Sequence, residues 1–442
     1  MELLSPAGNI EKLHYAYLYG ADAAYIGIRS FSLRARADNF HSEEWKEIAR
    51  IKGDRKLYGA MNIFFHNDDL KSLEAQSEYI AQYPFDAFIV SDLGAYNVLR
   101  RNFPDKRYHL STQANCINLE AAKLYRDLGF SRVILGRETT LDDIAHIKAA
   151  VPDLELETFV HGAMCLAYSG RCFLSSYMAD RSANQGDCTH SCRWLYRVLE
   201  EKQRPGEYYP VVESEEGFTT ILSSKDLCMF DYLDQLQAAG VDSVKIEGRM
   251  KSLYYTAVVT RSYRKALDYL VDREAGGDSG RAAGAPKTAA ALPAEAAPST
   301  SFNPAHIEEL RPYRDELYKI SRREYSTGFY FGKRNADETT SGSYVREYEF
   351  LGTIGASAGE GAYNLNVKNQ IRADRELEYI GPDLLFERDS SYQLYDAQRA
   401  PVEQADHGKE YFIRPSVAVQ PGYIIRSETG ASSGDDTGAA HS

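Results

Sequence analysis

The chain has 442 residues, 43% apolar and 26% charged, with a formal net charge of −13. That length suits a large barrel plus a smaller domain, and the acidic balance excludes indiscriminate nucleic-acid binding while leaving room for a local basic groove. No apolar run is long enough to cross a bilayer, and Met1-Glu-Leu-Leu-Ser-Pro-Ala-Gly8 lacks the basic and apolar regions of a secretory signal, so a cytoplasmic protein without membrane contact is expected.

Residues 1–272 repeat one pattern: a short apolar run, a polar or glycine-containing loop, then an amphipathic stretch. The apolar runs are Glu2–Ser5, Ala23–Ile28, Leu57–Phe65, Ala87–Val90, Tyr108–Ser111, Arg132–Gly136, Leu154–Val160, Thr219–Ser223 and Ser243–Glu247. Several are rich in β-branched residues, as buried parallel strands are. Between them lie helical segments at Asn9–Tyr19, Glu43–Lys52, Leu70–Gln82 and Leu119–Leu128; in the last, Ala121, Leu124, Tyr125 and Leu128 recur at i, i+3, i+4, i+7. About eight β–α units in this length predict an α/β fold, a (β/α)8 TIM-like barrel that tolerates irregularity. An open doubly wound sheet is the alternative, but no G-x-G-x-x-G follows the first strand.

Two connections exceed simple turns. Residues 161–200 form a cysteine-rich insertion after the Leu154–Val160 strand, on the face where barrels keep their chemistry, and 200–218 form a polar excursion. Residues 273–302 are a low-complexity linker of Gly, Ala, Pro, Ser and Thr, and its Gly277-Asp-Ser-Gly280 is an accidental match to a protease motif. A helical connector spans 303–340. Short strands at Tyr344–Thr353, Tyr363–Val367, Leu377–Ile380, Ser391–Tyr395, Tyr411–Ile413 and Tyr423–Arg426 then predict a small C-terminal β-barrel over 341–427, with a disordered tail at 428–442.

Four of the six cysteines, Cys165, Cys172, Cys188 and Cys192, are spaced C-x6-C-x15-C-x3-C within 28 residues. Four thiolates complete an iron–sulfur or a structural zinc site. Buried cysteines acting as small hydrophobes are a weaker explanation, since Gly, Ser, Arg and Asn surround them. Disulfides do not fit a chain without a secretory signal. The C-x2-C knuckles of zinc ribbons are missing, which favours a cluster, with zinc as the alternative.

Strand ends supply further candidates for the same mouth. In Ser243-Val-Lys245-Ile-Glu247-Gly-Arg249-Met-Lys251 apolar inward positions alternate with charge; Lys245 and Glu247 either pair with each other or serve a ligand. Arg249, Lys251, Arg34, Arg36 and Arg137 suit an anion, which guanidinium forks bind in bidentate fashion. His161 is either a proton-transfer group, alone or in a dyad with Cys165, or a hydrogen-bonded structural histidine. Ser111-Thr-Gln113 either contacts a ligand or caps a helix. No H-E-x-x-H or G-x-S-x-G motif is present.

The run from Glu157 to Ser175 resembles the signature of the U32 peptidase family, the collagenase-like proteases: E-x-F-x2-G-[SA]-[LIVM]-C-x4-G-x-C-x-[LIVM]-S is met at every specified position. The resemblance extends over Glu2–Gly8, Phe31–Arg36, Ser224–Leu227, Lys245–Arg249 and Tyr325–Phe329. Gln185–Trp194 and Arg204–Tyr208 resemble the tRNA-hydroxylating branch of that family. The resemblance implies an enzyme, or a component of one, forming 5-hydroxyuridine at the tRNA wobble position in a prephenate-dependent way. It implies a 4Fe-4S cluster on Cys165, Cys172, Cys188 and Cys192, with Cys228 in reserve, and hence iron–sulfur assembly machinery as a partner. His161, Lys245, Glu247 and Arg249 are the catalytic candidates; Arg34, Arg36 and Arg137 are candidates for binding the dicarboxylate prephenate. The tRNA anticodon loop offers unstacked bases to an aromatic rim. A homo- or hetero-oligomer is compatible with all of this. Peptide-bond hydrolysis and a non-catalytic metal-stabilised scaffold are the competing readings.

Overall fold

The computed structural model describes residues 1–28, 30–33, 44–165, 167–172, 174–179, 181–193, 224–275, 302–332 and 344–429. The Thr219–Ser223 run, the 200–218 excursion, nearly all of the 273–302 linker and the tail beyond Thr429 lie outside them. The chain divides into two compact units, one of Met1–Arg314 with Arg322–Ser343, the other of Asp315–Ser321 with the residues from Tyr344 onward. The segment expected to be a separate connector is therefore shared between the two.

In the first unit, β1 (Glu2–Pro6), β2 (Ala23–Gly27), β3 (Lys56–Met61), β4 (Ala87–Val90), β5 (Arg107–Leu110), β6 (Arg132–Ile134) and β7 (Glu155–Ala163) lie side by side in chain order. Between β7 and the next barrel strand comes β8 (Asp226–Cys228). β9 (Ser243–Ile246) then pairs in parallel with both β7 and β1, closing an eight-stranded ring. The ring is a (β/α)8 barrel with one irregularity. The last residues of β7 leave it to pair antiparallel with β8, which in turn pairs with β10 (Tyr325–Ser326). A register shift between Phe159 and His161 marks where β7 departs, so the insertion begins at a bulge.

Local chemistry favours these elements. The helices are α1 (Ile10–Leu18), α2 (Trp45–Lys52), α3 (Asn67–Ala75), α4 (Ser77–Ile80), α5 (Leu93–Asn102), α6 (Leu119–Leu128) and α7 (Leu141–Ala150), and α1, α5, α6 and α7 each follow a capping side chain, from Asn9, Asp92, Asn118 and Thr140 respectively. At the opposite end of the barrel a second device recurs. Asp22, Asp86 and Asp242 each stand one residue before a strand and accept the backbone N–H of the preceding neighbour, Leu3, Leu57 or Leu156, at 2.7–2.8 Å. Strand residues such as Leu3, Ile26, Val133, Leu156, Val244 and Ile246 are buried, as are Leu13, Ile48, Leu99 and Ile144 of the helices, each worth about 1.5–3 kcal/mol of burial. In α6 the expected stripe is rotated: Leu124 is 59% exposed and Ala122 is the buried residue.

In the second unit, β11 (Tyr348–Gly359), β12 (Ala362–Val367), β13 (Ile371–Arg372), β14 (Leu377–Ile380), β15 (Glu387–Asp389), β16 (Gln393–Asp396), β17 (Pro401–Val402), β18 (Gln404–Ala405), β19 (Tyr411–Arg414) and β20 (Ile424–Glu428) follow one another. Eight of them form an antiparallel sheet ordered β15-β14-β20-β11-β12-β19-β16-β17, and β13 pairs with β18. The ladder has two ends where closure was expected. Leu351, Leu365, Leu377, Tyr379, Ile413 and Ile425 form its core. Arg426 is fully buried there between Glu316 and Glu378, at 2.7 Å from each.

Candidate active site at the barrel mouth

The barrel interior is polar at its centre. Lys245 Nζ lies 2.9 Å from Glu157 Oε1, and Arg132 reaches Glu157, Glu155 and Glu2 at 3.0, 2.7 and 2.6 Å. Tyr58 OH donates to Glu2 at 2.9 Å. Burial alone would raise the Glu2 carboxyl, but Arg132 holds it down at about 2. Burial lowers the Lys245 ammonium below its usual range, and Glu157 opposes that shift. Lys245 also sits 4.4 Å from the Tyr25 ring centroid. The expected inward and outward positions on β9 are thus reversed, with the charged Lys245 inside, and its partner is Glu157 and not Glu247.

Above this column, Arg137 Cζ lies over the Phe159 ring, 4.0 Å from its centroid, and Nη2 reaches Glu247 Oε2 at 3.4 Å. Arg249 is buried, and its Nη1 donates to Ser32 Oγ at 2.7 Å. Two guanidiniums and one carboxylate from the expected set therefore stand at the ends of β6 and β9. Arg34 and Arg36 lie outside the described residues. Ser111 caps the turn that follows β5, and Thr112 donates to the Leu135 carbonyl, so these side chains serve the backbone.

The cysteine segment crosses this mouth as a strap. Glu138 fastens it by accepting from Ser169 N at 2.7 Å and Ser169 Oγ at 3.2 Å, while Asn115 holds the other Glu138 oxygen at 3.1 Å. The Asn184 carbonyl accepts from Phe64 N at 3.0 Å, tying the strap to the loop after β3. Gly170 packs so closely on the loop after β5 that a Cβ there would lie 2.0 Å from the Gln113 carbonyl oxygen, and its φ of +74° is itself a glycine conformation. Helix α8 (Leu174–Ala179) is joined to the far end through Ser175, Thr189 and Ser191. Glu138 and Ser169 are not among the candidates read from the sequence, and Phe159 figures only as a specified position of the family signature; Glu138 follows Arg137 directly, and only the strap's path gives it a role.

Cys165 is exposed, Cys172, Cys188 and Cys192 are half-buried, and all are free thiols. This donor set has the chemistry of a cluster or zinc site. Among the described residues no three His, Cys, Asp or Glu side chains are grouped as a metal site. Burial pushes the Cys228 thiol up to about 12 and the Cys116 thiol up to about 11, so both are held as neutral thiols. His161 is buried behind the mouth, with Nδ1 3.4 Å from Tyr263 OH and Nε2 3.3 Å from Tyr325 OH. Burial lowers its pKa to about 3, so it is neutral. With both ring nitrogens engaged by tyrosines, it forms no dyad with Cys165.

The model described as Peptidase family U32 matches residues 8–340, and that of the Peptidase family U32 C-terminal domain matches residues 346–426. The chain belongs to peptidase family U32. This U32 chain is 37% identical over 382 residues to tRNA hydroxylation protein P of Escherichia coli (strain K12), covering 76% of the chain and 82% of that protein. It is 33% identical over 412 residues to tRNA hydroxylation protein P1 of Bacillus subtilis (strain 168), covering 92% and 89%. It is also 38% identical over 287 residues to the 23S rRNA 5-hydroxycytidine C2501 synthase of Escherichia coli (strain K12), covering 64% of the chain and 41% of that protein. No helix among the described residues is long and apolar enough to cross a membrane.

Proposed function

We propose that this U32 chain is a tRNA-modifying hydroxylase, or the substrate-handling component of one, acting on the wobble uridine to give 5-hydroxyuridine. The observation that carries this reading is the similarity to tRNA hydroxylation protein P1 over 92% of the chain. The synthase named for rRNA hydroxylation supports the same reaction class on a second kind of RNA. Prephenate, as a dicarboxylate, matches the two guanidiniums at the mouth, with Arg137 already seated on Phe159 and reaching across to Glu247. Arg137 would take one carboxylate, and Arg249, braced by Ser32, the other. Glu247 then orients the Arg137 fork, and Lys245 beneath it supplies positive charge in a low-dielectric interior.

Cys165, Cys172, Cys188 and Cys192 are the residues that would hold a 4Fe-4S cluster, which when bound supplies an electron-transfer centre beside the mouth. The hydrolase reading is weakened by His161, the histidine nearest Cys165 in sequence, because Tyr263 and Tyr325 occupy both its ring nitrogens.

The test is mass spectrometry of tRNA from a strain lacking this gene and any paralogue, with and without a plasmid copy. Loss of 5-hydroxyuridine derivatives on deletion, restored by the wild-type chain and not by Arg137→Ala, is the expected result. Unchanged modification on deletion removes the proposal.

A further inference from the structure

Large apolar side chains on a soluble surface are usually scattered singly, and a concentration of them on one face marks something that docks there. Ten are exposed among the described residues: Phe64, Leu93, Leu124, Tyr168, Tyr177, Met178, Met250, Val271, Tyr344 and Val345. Phe64, Leu93 and Met250 follow the carboxyl ends of β3, β4 and β9, and Tyr168, Tyr177 and Met178 belong to the strap. More than half of them therefore ring the barrel mouth. Tyr177 is 76% exposed on α8, Tyr168 is 56% exposed one residue before the Glu138 clamp, and Phe64 is 39% exposed where its backbone is bonded to the strap.

Two features suit this rim to a nucleic acid. Three of these six are aromatic, with flat faces that any base can stack on. Arg171 stands exposed between Tyr168 and Tyr177 in the strap, without an ion-pair partner among the described residues, in a chain whose overall charge otherwise repels phosphate. A duplex hides its base faces; only an unpaired loop can offer them to such a surface.

We propose that Tyr168, Tyr177 and Phe64 form a stacking platform for unpaired bases of a single-stranded RNA loop, with Arg171 holding the phosphate between successive bases. This deepens the tRNA-hydroxylase reading and rests on it for the identity of the loop. The platform lies beside the mouth, so bases stacked on it hold the loop while one nucleotide reaches the barrel end.

The experiment is fluorescence anisotropy of the full-length protein with a labelled anticodon stem-loop and with a fully paired hairpin of the same length. Alongside it, tRNA hydroxylation is measured in a complemented deletion strain. Tyr177→Ala and Tyr168→Ala are each expected to weaken loop binding about tenfold or more, with paired-hairpin binding unchanged, since one stacked base is worth about 1–3 kcal/mol. Tyr177→Trp is expected to keep wild-type affinity, and Leu124→Ala, away from this face, to change nothing. These residues are exposed, so thermal melts should match the wild type. Wild-type loop affinity and wild-type hydroxylation in the Tyr168→Ala, Tyr177→Ala double variant would overturn the platform while leaving the hydroxylase reading standing. Equal loss for loop and paired hairpin would also overturn it, as would wild-type self-association that the double variant abolishes while RNA affinity stays intact. Selective loop binding in a protein whose deletion leaves tRNA modification unchanged would support the platform and remove the hydroxylase reading.

Discussion

Lys245 of β9 and Glu157 of β7 meet inside the closed ring, Nζ to Oε1 at 2.9 Å, at the seam where the last strand joins the sheet to itself. Neither group reaches water, and Glu157 is shared with Arg132, which also holds Glu2 and Glu155. Buried charges of this kind are costly to leave unpaired, so the barrel tolerates them only as a complete set.

That sharing orders the consequences of breaking it. Lys245→Met leaves Glu157 with Arg132 and is expected to cost about 1–3 kcal/mol of stability. Arg132→Met strips the shared cation from three carboxylates and is expected to cost about 3–5 kcal/mol or more. Denaturant unfolding followed by near-ultraviolet circular dichroism measures both, and a larger loss for Lys245→Met would contradict the shared-cation arrangement.

The second expectation concerns acid. His161 titrates near 3 when folded, against about 6.5 when unfolded, so below pH 6.5 the unfolded state takes up a proton that the folded state refuses. Stability should therefore fall as pH drops from about 6.5 towards 3, at about 1.4 kcal/mol per unit. Glu2, held at about 2, acts in the same direction at lower pH: its contribution is present above the usual carboxylate range and is lost as pH falls from there towards 2. His161→Phe should be less stable at neutral pH, because Tyr263 and Tyr325 lose their partner, yet flatter between pH 6.5 and 5. A denaturation midpoint that keeps the wild-type slope in that window would show that His161 is not the group responsible.

Most of the barrel is legible in the sequence because a parallel strand buried on both faces must be an apolar run. Eight of the nine runs are the eight barrel strands. β8 and β10 escape that logic: at two or three residues each, they are defined by the partner they find and carry no period of their own. The aspartates before β2, β4 and β9 leave a readable trace, Asp22-Ala, Asp86-Ala and Asp242-Ser ahead of an apolar run, but their role depends on which strand lies alongside. The same limit applies at the site. Arg137, Glu247 and Arg249 stand out as charges after strands, whereas pairing Lys245 with Glu157 instead of Glu247 needs the ring to close first. For His161 the sequence leaves open a proton-transfer group and a hydrogen-bonded structural histidine; only the fold brings to it the tyrosines of β10 and of the long helix α10 (Leu253–Ala275), which follows α9 (Leu233–Ala238).

The strap's seating gives a third expectation. Gly170→Ala places a methyl carbon against the Gln113 backbone and forces a left-handed conformation on a residue with a Cβ, so the strap must lift from the loop after β5. Glu138→Ala removes the clamp on Ser169 by a different route. Both should raise protease cleavage between residues 165 and 193 several-fold while leaving the barrel's thermal melt within about 2 °C of wild type, since the affected bonds lie outside the ring. Cleavage at the wild-type rate in both variants would show that these contacts do not hold the strap.

The fourth concerns the thiols. Cys165 is exposed on the strap, whereas burial holds the Cys228 and Cys116 protons at about 12 and about 11. At pH 8 a thiol titrating at about 12 is ionised in roughly one molecule in ten thousand, so iodoacetamide should label Cys165 first and Cys228 and Cys116 last. Anaerobic reconstitution with iron and sulfide should then protect Cys165, Cys172, Cys188 and Cys192 together and produce a broad absorbance at about 400 nm. Cys228→Ser should retain that band and the bound iron, and any one strap Cys→Ser change should lose at least half of both. Protection of Cys228 in place of a strap cysteine would move the fourth ligand into the β7–β8 pairing. Stoichiometric zinc in a colourless protein would instead make the four sulfurs a structural staple for the strap.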